Sequence, residues 1–133
     1  MSHPYGPDNS GSPGILMAWS KQAAEWVTPT LIEYDGVYTA KPAIDVLDAF
    51  KIDITLPGTP IEEYFLIENR QTKGIEANLW ASGLLIVHVD DAADAQKNRG
   101  YPDMPGGGWP GNGKHYRVAV MQVSSVNKDR AVL

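Results

Sequence analysis

Cysteine is absent from the 133 residues. Disulfide frameworks, thiolate zinc sites and cysteine nucleophiles are thereby excluded. Long apolar runs are missing too. The longest, such as Gly83 to Val87, fall far short of the roughly 20 residues that cross a bilayer, so no membrane span is expected. Basic residues are few: Lys plus Arg number 11 against 16 for Asp plus Glu, a net charge of −5. An acidic chain with no basic run is a poor match for a phosphate backbone, and nucleic acid is not expected as a partner. Met1-Ser2-His3-Pro4-Tyr5-Gly6 has neither a basic start nor an apolar core, so it carries no secretory signal. Histidine stands only at positions 3, 88 and 115. There is no His-Glu-x-x-His, no Gly-x-Ser-x-Gly, and no Lys-Ser/Thr after Gly106-Gly107-Gly108. The sequence therefore offers no self-contained catalytic motif, and neither a catalytic residue nor a metal ligand is assigned within it.

What is present has an ordinary globular composition, 43% hydrophobic and 20% charged. The mass of 14.5 kDa fits one domain or a piece of a larger one. Ser2 to Pro13, rich in Pro, Gly, Ser and Asn, reads as a loop. A helix is expected next, with Ser12 as N-cap and Pro13 in its first position. Ile15, Trp19, Ala23 and Trp26 fall on one stripe at helical spacing, and Pro29 ends it. Beyond Val27 the pattern is of strands. Pro29 to Glu33 is β-rich, and Tyr34-Asp35-Gly36-Val37 reads as a turn into a short return strand over Val37 to Ala40. From Ala49 to Leu56, Phe50, Ile52, Ile54 and Leu56 share one face, and Lys51, Asp53 and Thr55 face away. Glu63 to Glu68 and Leu84 to Val89 are apolar on both faces, as interior strands are. His115 to Val123 is a further strand. Asp90 to Lys114 is a long patternless stretch of the kind that is functional or mobile. The expected class is α+β: an N-terminal helix packed on a mostly antiparallel β body of about six strands, with a long loop before the last.

Two groups of residues invite a functional reading. Glu68, Asn69 and Arg70 close an apolar strand. They either form an ion pair that pins the next loop or shape a binding cleft. His88 and Asp90 share a face with Leu84 and Ile86. A lone His there is more often a hydrogen-bonded structural residue than a ligand. Trp80, Tyr101, Trp109 and Tyr116 are weighed as a sugar-stacking platform against a duller role as core or loop anchors.

Several stretches, taken in order, resemble one family. Pro13 to Pro29 contains Ala18-Trp19-Ser20-Lys21, followed by Glu25-Trp26-Val27-Thr28-Pro29. It looks like the Ala-Trp-x-Lys helix running into Gly-Trp-Val-x-Pro in immune inhibitor A-like secreted zinc metallopeptidases. Glu63-Tyr64-Phe65-Leu66-Ile67-Glu68-Asn69-Arg70-Gln71 is similar to that family's most recognisable strand. Gly83-Leu84-Leu85-Ile86-Val87-His88-Val89-Asp90 resembles its Gly-Leu-Leu-Ile-Trp-His-Ile-Asp. His115-Tyr116-Arg117-Val118 fits its next strand. Met1-Ser2 resembles the turn just beyond the metal ligands. Position 25 is Glu where the family has Gly, and Val87 stands for a Trp.

The resemblance implies that residues 1–133 are a single partial domain, the C-terminal portion of a metallopeptidase catalytic domain downstream of its zinc helix. The complete enzyme would be secreted, hold zinc and cleave a peptide or protein substrate, with the N-terminal part of the domain as the missing partner. No cofactor is expected in this chain, and calcium is left open. Glu68, Asn69, Arg70, His88 and Asp90 would then be cleft residues or residues supporting it. The Ile15, Trp19 and Trp26 face would meet upstream elements. The rival reading is a non-enzymatic β-rich binding or structural module for a carbohydrate or protein partner.

Overall fold

The computed structural model describes residues 14–54, 62–79, 81–93 and 116–121. They form an α+β arrangement: a short helix, α1 (Ala18–Ala23), and a five-stranded sheet. The strands are β1 (Thr30–Leu31), β2 (Phe50–Ile54), β3 (Glu63–Arg70), β4 (Gly83–Asp90) and β5 (Val118–Val120), in spatial order β1-β2-β3-β4-β5. One 3-10 turn, η1 (Gly74–Glu76), lies between β3 and β4.

The sheet is mixed, where a mostly antiparallel body of about six strands was expected. β2, β3, β4 and β5 are antiparallel neighbours, but β1 runs parallel to β2, Thr30 beside Phe50 and Leu31 beside Lys51. No return strand forms over Val37–Ala40. The Thr30 N–H donates to Ala49 O (2.9 Å) and the Ile32 N–H to Lys51 O (2.9 Å), so β1 finds its partner farther along the chain. Parallel neighbours need a long crossover, and residues 32–49 supply it. Asn69 ties that crossover down. Its Nδ2 donates to Ala40 O (2.9 Å), and its carbonyl accepts from the Ala43 N–H (2.8 Å).

β3 and β4 are the longest strands and pair from Glu63–Asp90 to Arg70–Gly83. Their alternation divides the residues as the sequence predicts. Tyr64, Leu66 and Glu68 face one side with Val87 and Val89. Phe65, Ile67 and Asn69 face the other with Ile86 and His88. The core lies on the first side: Ala18, Val27, Ala49, Tyr64, Leu66, Val87 and Val89 form one buried cluster, flanked by Trp19, Leu85, Val118 and Val120. Lys51 and Asp53 of β2 share this side, and the Lys51 ammonium sits 4.3 Å from the centre of the Tyr64 ring.

The helix departs most from expectation. It begins at Ala18, with Met17 as a cap that makes no side-chain bond. Ser12 and Pro13 lie outside the described residues. Residues 14–17 carry no helix, because both backbone groups of Ile15 bond side chains from elsewhere in the fold. The fully buried positions are Ala18 and Lys21, one turn apart; of the expected stripe through Ile15, Trp19, Ala23 and Trp26, Trp19 packs against the core while Ala23 and Trp26 are exposed. Trp26 lies beyond the helix and is 61% exposed. The long stretch before β5 falls mostly outside the described residues.

Candidate functional site

The densest polar cluster lies at the end of β3, where the sequence places Glu68 and Arg70. The apolar face of β3 continues into Glu68, which is 1% exposed. A carboxylate taken this far from water must be paired and hydrogen-bonded. Lys21 donates to Glu68 Oε2 at 2.8 Å, and Arg70 Nη1 donates to Glu68 Oε1 at 2.9 Å. Arg70 then reaches Glu76 in η1. Its Nε donates to Glu76 Oε2 at 3.2 Å, and its Nη2 bonds Glu76 Oε1 and also Ile15 O (3.1 Å). The Ile15 N–H donates to Glu76 Oε1 at 3.2 Å.

Two cations and two carboxylates thus neutralise one another, and all four carboxylate oxygens accept at least one bond. Lys21 (3% exposed) and Glu76 (2%) are as buried as Glu68. Burial by itself would lower the Arg70 pKa. Hydrogen bonds to Glu76 and Glu68, with their charges, outweigh it and raise it. A network with every oxygen occupied has no group free to shuttle a proton. Its chemistry is that of a clasp holding the entry to α1, β3 and η1 together.

The remaining candidates are placed elsewhere. Asn69 points to the opposite face and anchors the crossover, accepting also from Gln71 Nε2 at 2.6 Å. His88 sits on that face too, toward the other end of the strand pair, across from Phe65, whose ring centre is 5.4 Å away. Its Nε2 lies 3.1 Å from Glu63 Oε2. Glu68, grouped with His88 among the expected cleft or supporting residues, is on the other side of the sheet. Asp90 is 5% exposed, and its Oδ1 accepts from the Ala92 and Ala93 N–H groups at 2.9 and 3.1 Å, closing the turn after β4. The five residues therefore do not form one cleft. Tyr116 is buried, while Trp80, Tyr101 and Trp109 lie outside the described residues.

Sequence reasoning missed Lys21 and Glu76. Lys21 finds its partner 47 residues on, which no local pattern reports, and Glu76 sits in a polar loop that gives no signal either. Among the described residues, no group of three His, Asp or Glu could hold a metal ion. No described helix is long and apolar enough to cross a membrane.

The end of α1 has its own geometry. The Glu25 N–H donates to Gln22 O (3.0 Å) and the Trp26 N–H to Lys21 O (2.8 Å), the paired bonds of a Schellman cap. Such a cap needs a left-handed residue at its centre, and Glu25 has φ +59°. Comparison with known proteins yields no matching family model, no matching curated protein and no matching solved structure.

Proposed function

We propose that the chain is the C-terminal part of the catalytic domain of a secreted zinc endopeptidase resembling immune inhibitor A. In this reading it works as scaffold: a helix set on a sheet that forms a wall below a metal centre supplied by upstream sequence. The observation that carries the reading is the buried Lys21–Glu68 bond. Lys21 belongs to the Ala-Trp-x-Lys piece of the resemblance, and Glu68 to the Glu-Asn-Arg strand. Two pieces of the resemblance thus meet in one ion pair between residues 47 apart in sequence. The left-handed φ of Glu25 adds support, since the family pattern has glycine there. Zinc ligands would come from the upstream sequence, since the described residues hold no group of three His, Asp or Glu that could bind a metal ion.

The test is the DNA upstream of the Met1 codon. The reading expects an in-frame His-Glu-x-x-His there. The extended product should cleave casein in a chelator-sensitive way, while the 133-residue chain with added zinc should not. Cleavage by the short chain that a chelator abolishes would overturn the scaffold role. A ribosome-binding site directly before Met1, with no upstream motif, would turn the assignment to the rival reading of a non-enzymatic binding module. Exposed Leu31, Tyr34, Val37 and Tyr38 are the observation that favours a protein partner in that case.

A further inference from the structure

We infer that the outer edge of β1 is a docking site for an extended basic peptide of a partner protein, which joins the sheet as a further strand. The edge shares no residue with the Lys21–Glu68–Arg70–Glu76 clasp, and the inference stands independently of the peptidase reading.

The backbone comes first. Among the described residues β1 is an outermost strand, with β2 as its neighbour. The Thr30 and Ile32 N–H groups point into the sheet, donating to Ala49 O and Lys51 O. Successive residues of a strand turn their backbone groups to opposite sides, so those of Leu31 point outward. Among the described residues they meet no partner. Unpaired edge groups of this kind are what an extended peptide bonds when it adds to a sheet. Leu31 is 42% exposed, and Thr28, Thr30 and residues 33–39 are exposed with it, so the edge is open to solvent.

Charge selects the occupant. Glu33 and Asp35 are exposed carboxylates, and neither makes an ion pair or a hydrogen bond among the described residues. The cation on the adjoining strand, Lys51, is already engaged: its Nζ lies 2.7 Å from Asp53 Oδ1 and 4.3 Å from the Tyr64 ring centre. The chain carries a net charge of −5, so a second copy would bring like charge to this edge. The charge that deters a second copy favours a strand of opposite sign. Side-chain spacing refines the choice. Leu31 lies beside Lys51, on the core side of the sheet, and Glu33 follows at the two-residue period of a strand. Neighbouring strands match side chains in pairs, so the peptide presents an apolar residue to Leu31 and, two positions away, a lysine or arginine to Glu33.

The experiment is an NMR titration of the 133-residue chain with the end-capped peptide Thr-Val-Thr-Lys-Thr-Lys-Thr. Saturable shifts should centre on the Leu31 and Glu33 amides, with a Kd on the order of 0.1–1 mM, and the Leu31 amide should gain protection from hydrogen exchange. The same peptide with glutamate in place of lysine should bind at least about tenfold more weakly. Glu33→Gln, at an exposed position, should weaken the lysine peptide at least about threefold. A fully N-methylated lysine peptide keeps its side chains and charges but donates no backbone bond, and it should not bind. No saturable shift, or shifts centred away from β1, would overturn the inference. So would equal binding of the glutamate or N-methylated peptide, or an affinity unchanged in Glu33→Gln. Leu31 shifts that follow protein concentration without peptide would overturn it by giving the edge to a second copy.

Discussion

Glu25 and Tyr64 are the residues whose surroundings press hardest on their chemistry. A side chain at a left-handed φ costs roughly 1–2 kcal/mol, and glycine escapes most of that while adding unfolded-state entropy. Glu25→Gly should therefore stabilise the protein by about 0.5–1 kcal/mol net, read as a rise of a few degrees in the thermal midpoint. Glu25→Ala keeps the Cβ and should show no such gain, which separates backbone relief from loss of charge. Tyr64 answers to pH. Burial, reinforced by the Asp91 charge and hydrogen bond, pushes its hydroxyl up to about 12 from an ordinary 10. The folded state holds this proton more tightly than the unfolded chain. Its contribution is whole below pH 10 and is lost as pH climbs towards 12. In urea unfolding across that window, Tyr64→Phe should decline less steeply than the wild type.

Among the elements, β3 does the most joining: its even residues feed the core, and its last three tie together the entry to α1, the crossover and η1. Removing one partner of a buried pair leaves a charge with no compensation, which typically costs about 3–5 kcal/mol. Glu68→Gln should lower stability by about that much, and Lys21→Met combined with Glu68→Leu should recover a good part of it. Equilibrium unfolding of the two variants checks both. β3 and β4 were legible in the sequence as the apolar runs Glu63 to Glu68 and Leu84 to Val89, and their division into faces follows from the two-residue period of a strand. β1 was not. Asp35-Gly36 suggests a local hairpin, but a dipeptide signal yields to the pairing of Thr30 and Ile32 with Ala49 and Lys51. The helix was misread in phase and in start. Its inward face carries a lysine whose partner lies 47 residues on, and no local pattern reports such a contact. The five candidate residues are divided between the two faces of the sheet, a separation that follows from strand alternation once Glu68 and His88 are placed in register.

In the whole molecule, the contacts that fix the start of the described chain are all distant in sequence. Ile15 is held by Glu76 and Arg70, 61 and 55 residues away. Closing a loop of that length costs roughly 3–4 kcal/mol of chain entropy, and a handful of polar bonds has to offset it. Leu66 and Val87, by contrast, are locked between neighbours in an eight-residue ladder. The two regions should therefore come apart at different free energies. In native-state hydrogen exchange, the Ile15 amide should open by a small, weakly denaturant-dependent excursion, while the Leu66 amide should exchange only with global unfolding. Coincident behaviour of the two would show instead that the clasp and the sheet melt together. The same asymmetry gives an order to folding. The β3–β4 ladder can form from nearby residues, and Arg70 waits at its end. The segment before α1 is then captured last, as a latch closing on a finished frame.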